Sequence, residues 1–310
     1  MRQVPDNQDQ FPPVGGELAA FEQILGETAD RDLCDQLSDT LPLDWRCVAS
    51  CLAPELRNRC RQCARPLLVG LSGGQGAGKS TLALALEVAL GSYGLTVGVL
   101  SLDDVYHTRA TRRALADEIH PLLATRGVPG THDLALLESV LDAPRGQPLR
   151  LPRFDKGQDD RAPMADWPAL PGVPDILLLD GWCLGVEPQD AAELRDPVNE
   201  LEQREDPDGR YRRYINDEIA SAYTPLWRRL DAWLFLAVPS FRAVVRWRTQ
   251  QEESLAPAQR MTAGELKRFC DHYERLTHHL LGTAPNAATW TLKLAENHRV
   301  KFREGSAARS

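Results

Sequence analysis

From Gly73 to Ser80 the chain reads GGQGAGKS, a glycine-rich turn closed by a lysine and a hydroxyl residue. The spacing G-x-x-x-x-G-K-[ST] has a mechanism. Glycines let the backbone wrap a phosphate with its N–H groups inward, the lysine reaches the β- and γ-phosphates, and the serine offers a hydroxyl to Mg²⁺. An apolar run, Leu67 to Leu71, precedes the turn and a helix-forming run from Thr81 follows it, so a helix N-terminus adds its positive end at the same place. Gly73, Gly74, Gln75, Gly76, Ala77, Gly78, Lys79, Ser80 and Thr81 are the candidate nucleotide-binding loop, with Lys79 the candidate catalytic cation and Ser80 a metal ligand. Of 36 Lys plus Arg only five are Lys (Lys79, Lys156, Lys267, Lys293 and Lys301). A chain that prefers Arg this strongly keeps a lysine where a compact ammonium is needed and a forked guanidinium would not fit.

Two strand-sized apolar runs end in acids. LTVGVLSL, Leu95 to Leu102, runs into Asp103-Asp104-Val105-Tyr106, and DILLLDGW, Asp175 to Trp182, carries Asp180 near its end. Ligands of open parallel sheets bind at the carboxyl ends of the strands, so both acids are expected beside the phosphate loop. A phosphoryl acceptor hydroxyl needs a carboxylate close enough to take its proton. Asp103 is the candidate base and Asp104 the reserve, although an Asp pair that merely caps the next turn has the same sequence. Asp180 is placed to hold Mg²⁺ through water beside Ser80.

The acceptor side draws on the segments between the strands. His107 to Asp133 shows no long apolar periodicity, is rich in turn residues and closes on His132-Asp133 before a helix over Leu134 to Leu141. It reads as a substrate-facing loop, with a helix cap as the alternative for that pair. Gln147 to Phe154 reads as a short strand or hairpin arm leading into Asp155-Lys156-Gly157-Gln158-Asp159-Asp160-Arg161. Lys156 and Arg161 are five apart in this glycine-containing loop, where both can turn into one cleft with His132 and Asp133 facing them. Aromatics beyond Tyr106 and Phe154 are few in these segments, which favours a small polar acceptor over a nucleoside. In the Arg-rich helix Phe241 to Glu253, Arg246 and Arg248 cannot share a face, so at most one points inward, and Arg248 is the nucleotide-side candidate.

The elements that must position these residues follow from the apolar pattern. Strands at Leu67–Leu71, Leu95–Leu102, Asp175–Trp182, Trp233–Val238 and Ala288–Leu294 alternate with helices. This predicts an α/β fold with a doubly wound, five-stranded parallel sheet covered on both faces. Residues 66–310 form the expected nucleotide-binding domain. Residues 1–65 form an extension, polar and expected to be disordered up to about residue 15, then helical from Glu17 to about Arg65 with a structural role. The 310-residue chain has a net charge of -8, which argues against a nucleic-acid or anionic-membrane surface as main partner. The N-terminus MRQVPDNQDQFPP has neither the basic start nor the apolar stretch of an export signal, so a cytoplasmic location is expected. Seven cysteines are then expected as free thiols. Cys47, Cys51, Cys60 and Cys63 raise a zinc site, against the alternative that Cys47 and Cys51 lie on one apolar helix face. No Asn-Lys-x-Asp element for guanine is present, which leaves ATP as the expected nucleotide.

Over about residues 66 to 300 several stretches in order, SGGQGAGKST, SLDDVY, GTHDL, FDKGQDDRAP, DGWCLG, NELEQREDPDGRYRRYINDEIA and FRAVVRWRTQQE, resemble the plant-type D-glycerate 3-kinases and their bacterial and yeast relatives. That group is similar more broadly to phosphoribulokinase, uridine kinase and bacterial pantothenate kinase. The resemblance implies a P-loop kinase using ATP and Mg²⁺ on a small hydroxy-acid. It places the aspartate and tyrosine of a D-D-x-Y element on Asp103 and Tyr106, the substrate-loop His-Asp on His132 and Asp133, and a D-K-x(n)-D-R-A element on Asp155, Lys156, Asp160 and Arg161. Tyr106, Asp104, His132, Asp133, Asp155, Lys156 and Arg161 are accordingly the expected acceptor contacts. Relatives commonly have Glu-Gly-Trp where this chain has Asp180-Gly181-Trp182, a shorter carboxylate with the same charge. Leu71 to Gln75 also spells LSGGQ, a transporter-ATPase signature, but it overlaps the phosphate loop instead of lying far downstream and is a coincidence. Kinases for pantothenate, nucleosides or sugar phosphates, and a regulatory ATPase acting on a protein partner, are the alternatives. The oligomeric state is not legible.

Overall fold

The computed structural model describes residues 14–253, 256 and 260–301, with side chains from Leu18 onward. The disorder expected for residues 1 to about 15 falls outside these up to Pro13, while Val14 and Gly15 already belong to the first helix. Three helices lead the chain, α1 (Val14–Leu25), α2 (Arg31–Gln36) and α3 (Leu43–Gln62). Leu18, Phe21, Leu25, Leu33 and Leu37 turn inward against Trp45, Val48, Leu52 and Leu56 of α3. Each helix thus buries one apolar stripe.

The nucleotide-binding part follows with β1 (Leu67–Gly73), α4 (Lys79–Ser92), β2 (Val97–Ser101), α5 (Arg109–Glu118) and α6 (Leu134–Leu141). Next come four short strands, β3 (Leu149–Arg150), β4 (Phe154–Asp155), β5 (Asp160–Arg161) and β6 (Ala169–Leu170), in which β3 pairs with β6 and β4 with β5, both antiparallel. The chain continues through β7 (Ile176–Gly181), α7 (Glu200–Glu205), α8 (Arg210–Glu218), a π-helical turn at Ile219–Tyr223, α9 (Thr224–Trp227), β8 (Ala232–Ala237), α10 (Phe241–Glu253), α11 (Ala263–Ala287) and β9 (Trp290–Lys293). The main sheet runs β2-β7-β1-β8-β9, every pair parallel, as the strand pattern predicts. Every residue of β1 and β7 is buried, as befits central strands covered on both faces. Strand β1 is the switch point: the chain leaves it towards β2 and β7 on one side and later reaches β8 on the other. The register sets Asp180 beside Leu71 and Ser101, and Gly73 beside Leu236, so Gly73, Ser101 and Asp180 share the carboxyl edge of the sheet.

Two parts of the sequence reading need correction. The segment His107–Asp133 is not simply a turn-rich loop, because it contains α5 and a 3-10 turn at Pro121–Ala124. Helices α7 to α9 and α11 occupy segments to which the apolar pattern assigned no element. For α5, α7, α8 and α11 the reason is shared: their inward faces carry buried, paired charges that break apolar periodicity, whereas α9 is a single four-residue turn. Arg112 of α5 is buried against Asp159, Arg212 of α8 against Asp206 at 3.0 Å, and Arg275 of α11 against Glu202 at 2.7 Å. Each guanidinium also donates to backbone carbonyls, the condition under which a buried ion pair is tolerated. For the cysteines the sequence left zinc and an apolar helix face open, and the helix face is what the structure shows for Cys47 and Cys51. Cys47 and Cys51 are buried on α3, the Cys60 thiol meets the Asp175 carbonyl at 3.6 Å, and among the described residues no three His, Cys, Asp or Glu side chains gather as a metal site.

Candidate active site

The phosphate loop joins β1 to α4 with backbone geometry that only glycine adopts readily. Gly76 has φ 77° and Gly78 φ 91°, both left-handed. The space is closed as well: a Cβ on Gly76 would stand 2.9 Å from Trp247 Cβ, and one on Gly78 would stand 2.6 Å from the Trp45 ring. Helix α4 starts at Lys79 with no side-chain cap on its first N–H groups, which leaves them to an anion. Lys79 Nζ folds back onto the loop, donating to the carbonyls of Gly73 at 2.9 Å and Gly74 at 3.2 Å. Burial pushes its ammonium pKa down, opposed by Asp180 and Asp103. Ser80 Oγ donates to Asp180 Oδ2 at 3.2 Å and Ser101 Oγ to Oδ1 at 3.3 Å. These hard oxygens at one strand edge are the donor set Mg²⁺ prefers, and the open helix start with inward-curled glycines suits a polyphosphate, so the residues fit both groups.

This edge opens into a cavity of about 1130 Å³, large enough for two ligands together, lined by Lys79, Ser80, Asp103, Tyr106, Asp180 and Lys156 among others. Asp103 sits in the 3-10 turn Leu102–Val105, whose first N–H groups Ser101 caps by accepting from Asp103 N at 3.3 Å. Its carboxylate is gripped from both sides. Tyr106 OH donates to Oδ1 at 2.7 Å and Lys156 Nζ to Oδ2 at 2.7 Å. Burial would raise the Asp103 pKa, but Lys156 first and then Tyr106 outweigh it and hold the carboxyl below its ordinary value. Asp104 turns the other way, onto Arg153 at 3.2 Å and the Phe154 N–H at 3.3 Å, and burial pushes its pKa up. Adjacent in sequence, the two acids belong to different environments.

The remaining sequence candidates divide between the cavity wall and the layer behind it. Arg248 of α10 lines the cavity and pairs with Glu252, while Arg246 pairs with Glu296, so one of the two points inward. Lys156 and Arg161 do not turn into one cleft, contrary to the sequence reading. Arg161 donates to Asp133 at 2.7 Å and to the Tyr106 carbonyl at 3.2 Å. Asp133 caps α6 by accepting from Leu136 N at 3.0 Å, and Asp155 holds the hairpin turn through the Gly157 and Gln158 N–H groups. His132 is buried, stacks on Tyr106 at 4.7 Å and accepts or donates at Nδ1 with Tyr223 OH at 2.7 Å. Burial drops its pKa to about 3. Asp104, His132, Asp133, Asp155 and Arg161 thus stand off the cavity lining.

Sequence reasoning passed over Ser101, Arg126, Asp159, Trp182, Phe269 and Tyr273, all on that lining. Ser101 stood inside the quoted SLDDVY, Trp182 inside DGWCLG and Asp159 inside FDKGQDDRAP, whereas Arg126 belongs to no motif. The expected scarcity of aromatics is also overturned, since Trp182, Phe269 and Tyr273 line the cavity, whereas Phe154 lies beneath Arg112 and Arg126. Tyr106 is stacked by His132 and stands in a T-shaped pair with Phe154 at 5.3 Å.

No family model matches the chain. It is 34% identical over 234 residues to a Schizosaccharomyces pombe protein described as the uncharacterized kinase mug58, covering 72% of this chain and 83% of that one. To the probable ATP-dependent kinase TDA10 of Saccharomyces cerevisiae it is 30% identical over 242 residues, 71% of this chain and 77% of the relative. To the chloroplastic D-glycerate 3-kinase of Arabidopsis thaliana it is 30% identical over 200 residues, 60% of this chain but only 41% of the relative's length. Among solved structures, that of the YGR205w protein matches with a TM-score of 0.63 at 27% identity, over 80% of this chain and 91% of that one. No helix among the described residues is long and apolar enough to cross a membrane.

Proposed function

Since the chain belongs to the P-loop kinases that group D-glycerate 3-kinase with its yeast relatives, we propose that it transfers the γ-phosphoryl of ATP to a hydroxyl of a small anionic metabolite, D-glycerate. The observation that carries this reading is Asp103. Its carboxylate is ionised, fixed by Tyr106 and Lys156, and shares one cavity with Lys79, Ser80 and Asp180. A switch that only hydrolyses ATP can also use an acid to orient water, but it has no use for the acceptor-side lysine that this one carries.

In this reading residues 66–310 are the kinase domain and the N-terminal helices are structural support, with Trp45 closing the space behind Gly78. The backbone of Gly73 to Thr81 cradles the phosphates and Arg248 approaches the nucleotide from α10. Lys79 leaves its loop carbonyls for the transferred group, where its charge offsets the one that spreads over the phosphoryl oxygens. Ser80 and Asp180, steadied by Ser101, hold Mg²⁺, which supplies charge neutralisation at the phosphates when bound. Tyr106 fixes the orientation of Asp103, and Asp103 takes the acceptor's hydroxyl proton on Oδ2 once Lys156 has moved to the acceptor. Asp104, His132, Asp133, Asp155 and Arg161 shape the acceptor side from behind: Asp104 anchors β4, Asp155 the hairpin, and the rest support Tyr106.

A nucleoside acceptor is the second reading, favoured by Trp182, Phe269 and Tyr273 on the lining. Lys156 beside the base favours an anion instead. Comparing kcat/KM for D-glycerate, pantothenate, uridine and ribulose 5-phosphate with ATP decides between them. D-glycerate is expected to lead. A different leader removes the substrate while leaving the kinase, and ATP hydrolysis indifferent to every acceptor but raised by a protein partner removes both.

A further inference from the structure

The turn of the β4–β5 hairpin, Lys156 to Asp159, carries two charged residues facing the cavity. Lys156 is held on Asp103. Asp159 is held by two guanidiniums. Arg112, with its side chain 1% exposed, binds it through Oδ1 at 3.2 Å, Oδ2 at 2.8 Å and its own carbonyl at 2.7 Å. Arg126, one-quarter exposed and on the cavity lining, makes the second pair on Oδ1. One carboxylate therefore faces two permanent cations, and the buried one already satisfies it. Arg126 is the surplus charge, and it faces the same space as Lys156 and the base.

The backbone around Arg126 is fixed, and its side chain pairs with Asp159 Oδ1 and lies over the Phe154 ring. Tyr273 OH donates to the Arg126 carbonyl at 3.4 Å and Trp182 Nε1 to the Gly127 carbonyl at 2.9 Å. Asp159 itself adopts φ 55°, a left-handed conformation uncommon outside glycine, at the point where the turn presents its carboxylate to both arginines.

We infer that Arg126 and Lys156 together form the binding site for the acceptor's anionic group, Arg126 passing to that group from Asp159, whose charge Arg112 continues to neutralise. A planar guanidinium offers a carboxylate two parallel N–H bonds and Lys156 adds a point charge. Because Lys156 lies 2.7 Å from Asp103, the anionic group and the phosphorylated hydroxyl must be only a few bonds apart. The class selected is a short-chain hydroxy-acid. This deepens the kinase reading and rests on it.

The test compares D-glycerate with glycerol, which keeps the carbon chain and hydroxyls and lacks the carboxylate, in wild type, Arg126→Gln and Arg126→Lys. Loss of a charge-assisted pair is expected to raise the D-glycerate KM of Arg126→Gln about 10- to 100-fold. The KM for ATP should stay within about threefold, the low turnover expected of glycerol should fall by much less than that of D-glycerate, and Arg126→Lys should recover part of the loss. A D-glycerate KM within twofold of wild type, or equal losses for ATP or glycerol, overturns the inference. If wild type prefers another acceptor, D-glycerate is wrong; the anion site then stands when that acceptor is anionic and Arg126→Gln raises its KM, and falls when it is uncharged. Calorimetric titration with D-glycerate needs no turnover. Binding by wild type that Arg126→Gln loses supports the site even if phosphoryl transfer is not seen, while equal binding by both sinks it; where wild type binds no D-glycerate, the titration uses its preferred acceptor, and an uncharged acceptor or equal binding by both proteins sinks the site.

Discussion

Lys156 donates to Asp103 at 2.7 Å, joining the hairpin turn to the end of β2 across 53 positions of sequence. In the proposed reaction, with Asp103 as the base, this pair sets the acid limb. Asp103 must be ionised to take a proton, and Lys156 helps hold its pKa below the ordinary carboxylate value. In wild type, kcat/KM should therefore remain level as pH falls through the usual carboxylate range and decline only below it. Lys156→Gln removes the opposing charge while burial remains, so the acid limb should move to higher pH. A pH–rate profile checks this, and an unmoved limb would show that the measured acid group is not Asp103.

The opposite orientations of Asp103 and Asp104 predict different losses. Asp103→Asn should lower kcat by about 10²- to 10⁴-fold, the scale of a lost general base, with ATP affinity nearly intact. Asp104→Asn loses the charge paired with Arg153 and weakens the anchor on Phe154 N, so it should lower thermal stability with a smaller effect on kcat. Single-turnover rates and melting curves on both variants separate the roles. Near-normal kcat in Asp103→Asn with a large loss in Asp104→Asn would reverse the assignment.

Much of this architecture was legible because its signals are local. Leu67 to Ser80 carries strand, turn and helix start in one stretch, and DILLLDGW carries a buried strand with its acid. What escaped depends on pairs distant in sequence. Helix α5 shows no apolar stripe because its inward residue is Arg112, whose partner Asp159 is 47 positions away. Arg126 was invisible for the same reason, its partner lying 33 positions on. Arg161, five residues from Lys156, looked like the second acceptor cation because spacing cannot show that Asp133 engages it. Motif position indicated the cavity edge, and charge pairing decided which residues reach the cavity.

The Mg²⁺ assignment gives a third prediction. Ser80 and Ser101 each donate to a different oxygen of Asp180, so this acid is oriented before a cation arrives. Asp180→Asn keeps the shape and removes the charge, and should raise the Mg²⁺ concentration for half-maximal activity at least tenfold. Lys79→Ala should abolish measurable turnover at any Mg²⁺ concentration, because it removes charge at the transferred group and not the cation's ligand. Titrating Mg²⁺ at saturating ATP distinguishes these. If excess Mg²⁺ restores Lys79→Ala, or does nothing for Asp180→Asn, the two roles are misplaced.

His132 offers a test of stability that is independent of catalysis. Its imidazole is buried, and its pKa lies at about 3 in the folded chain against 6.5 unfolded. The folded state keeps the ring neutral, so the unfolded chain binds the extra proton throughout the window between these values. The sign follows: the neutral ring costs nothing above pH 6.5, and stability falls as pH drops from 6.5 towards 3. At pH 5 the penalty from this one group approaches ~2 kcal/mol. His132→Gln cannot titrate but keeps a group able to hydrogen-bond Tyr223, so its melting temperature should fall less than that of wild type between pH 7 and pH 5, even if it starts lower. Since His132 stays neutral at working pH, this replacement should also leave the acid limb set by Asp103 in place while lowering kcat through a looser Tyr106. Parallel loss of stability in both proteins over that pH range would mean that His132 is not held neutral by burial.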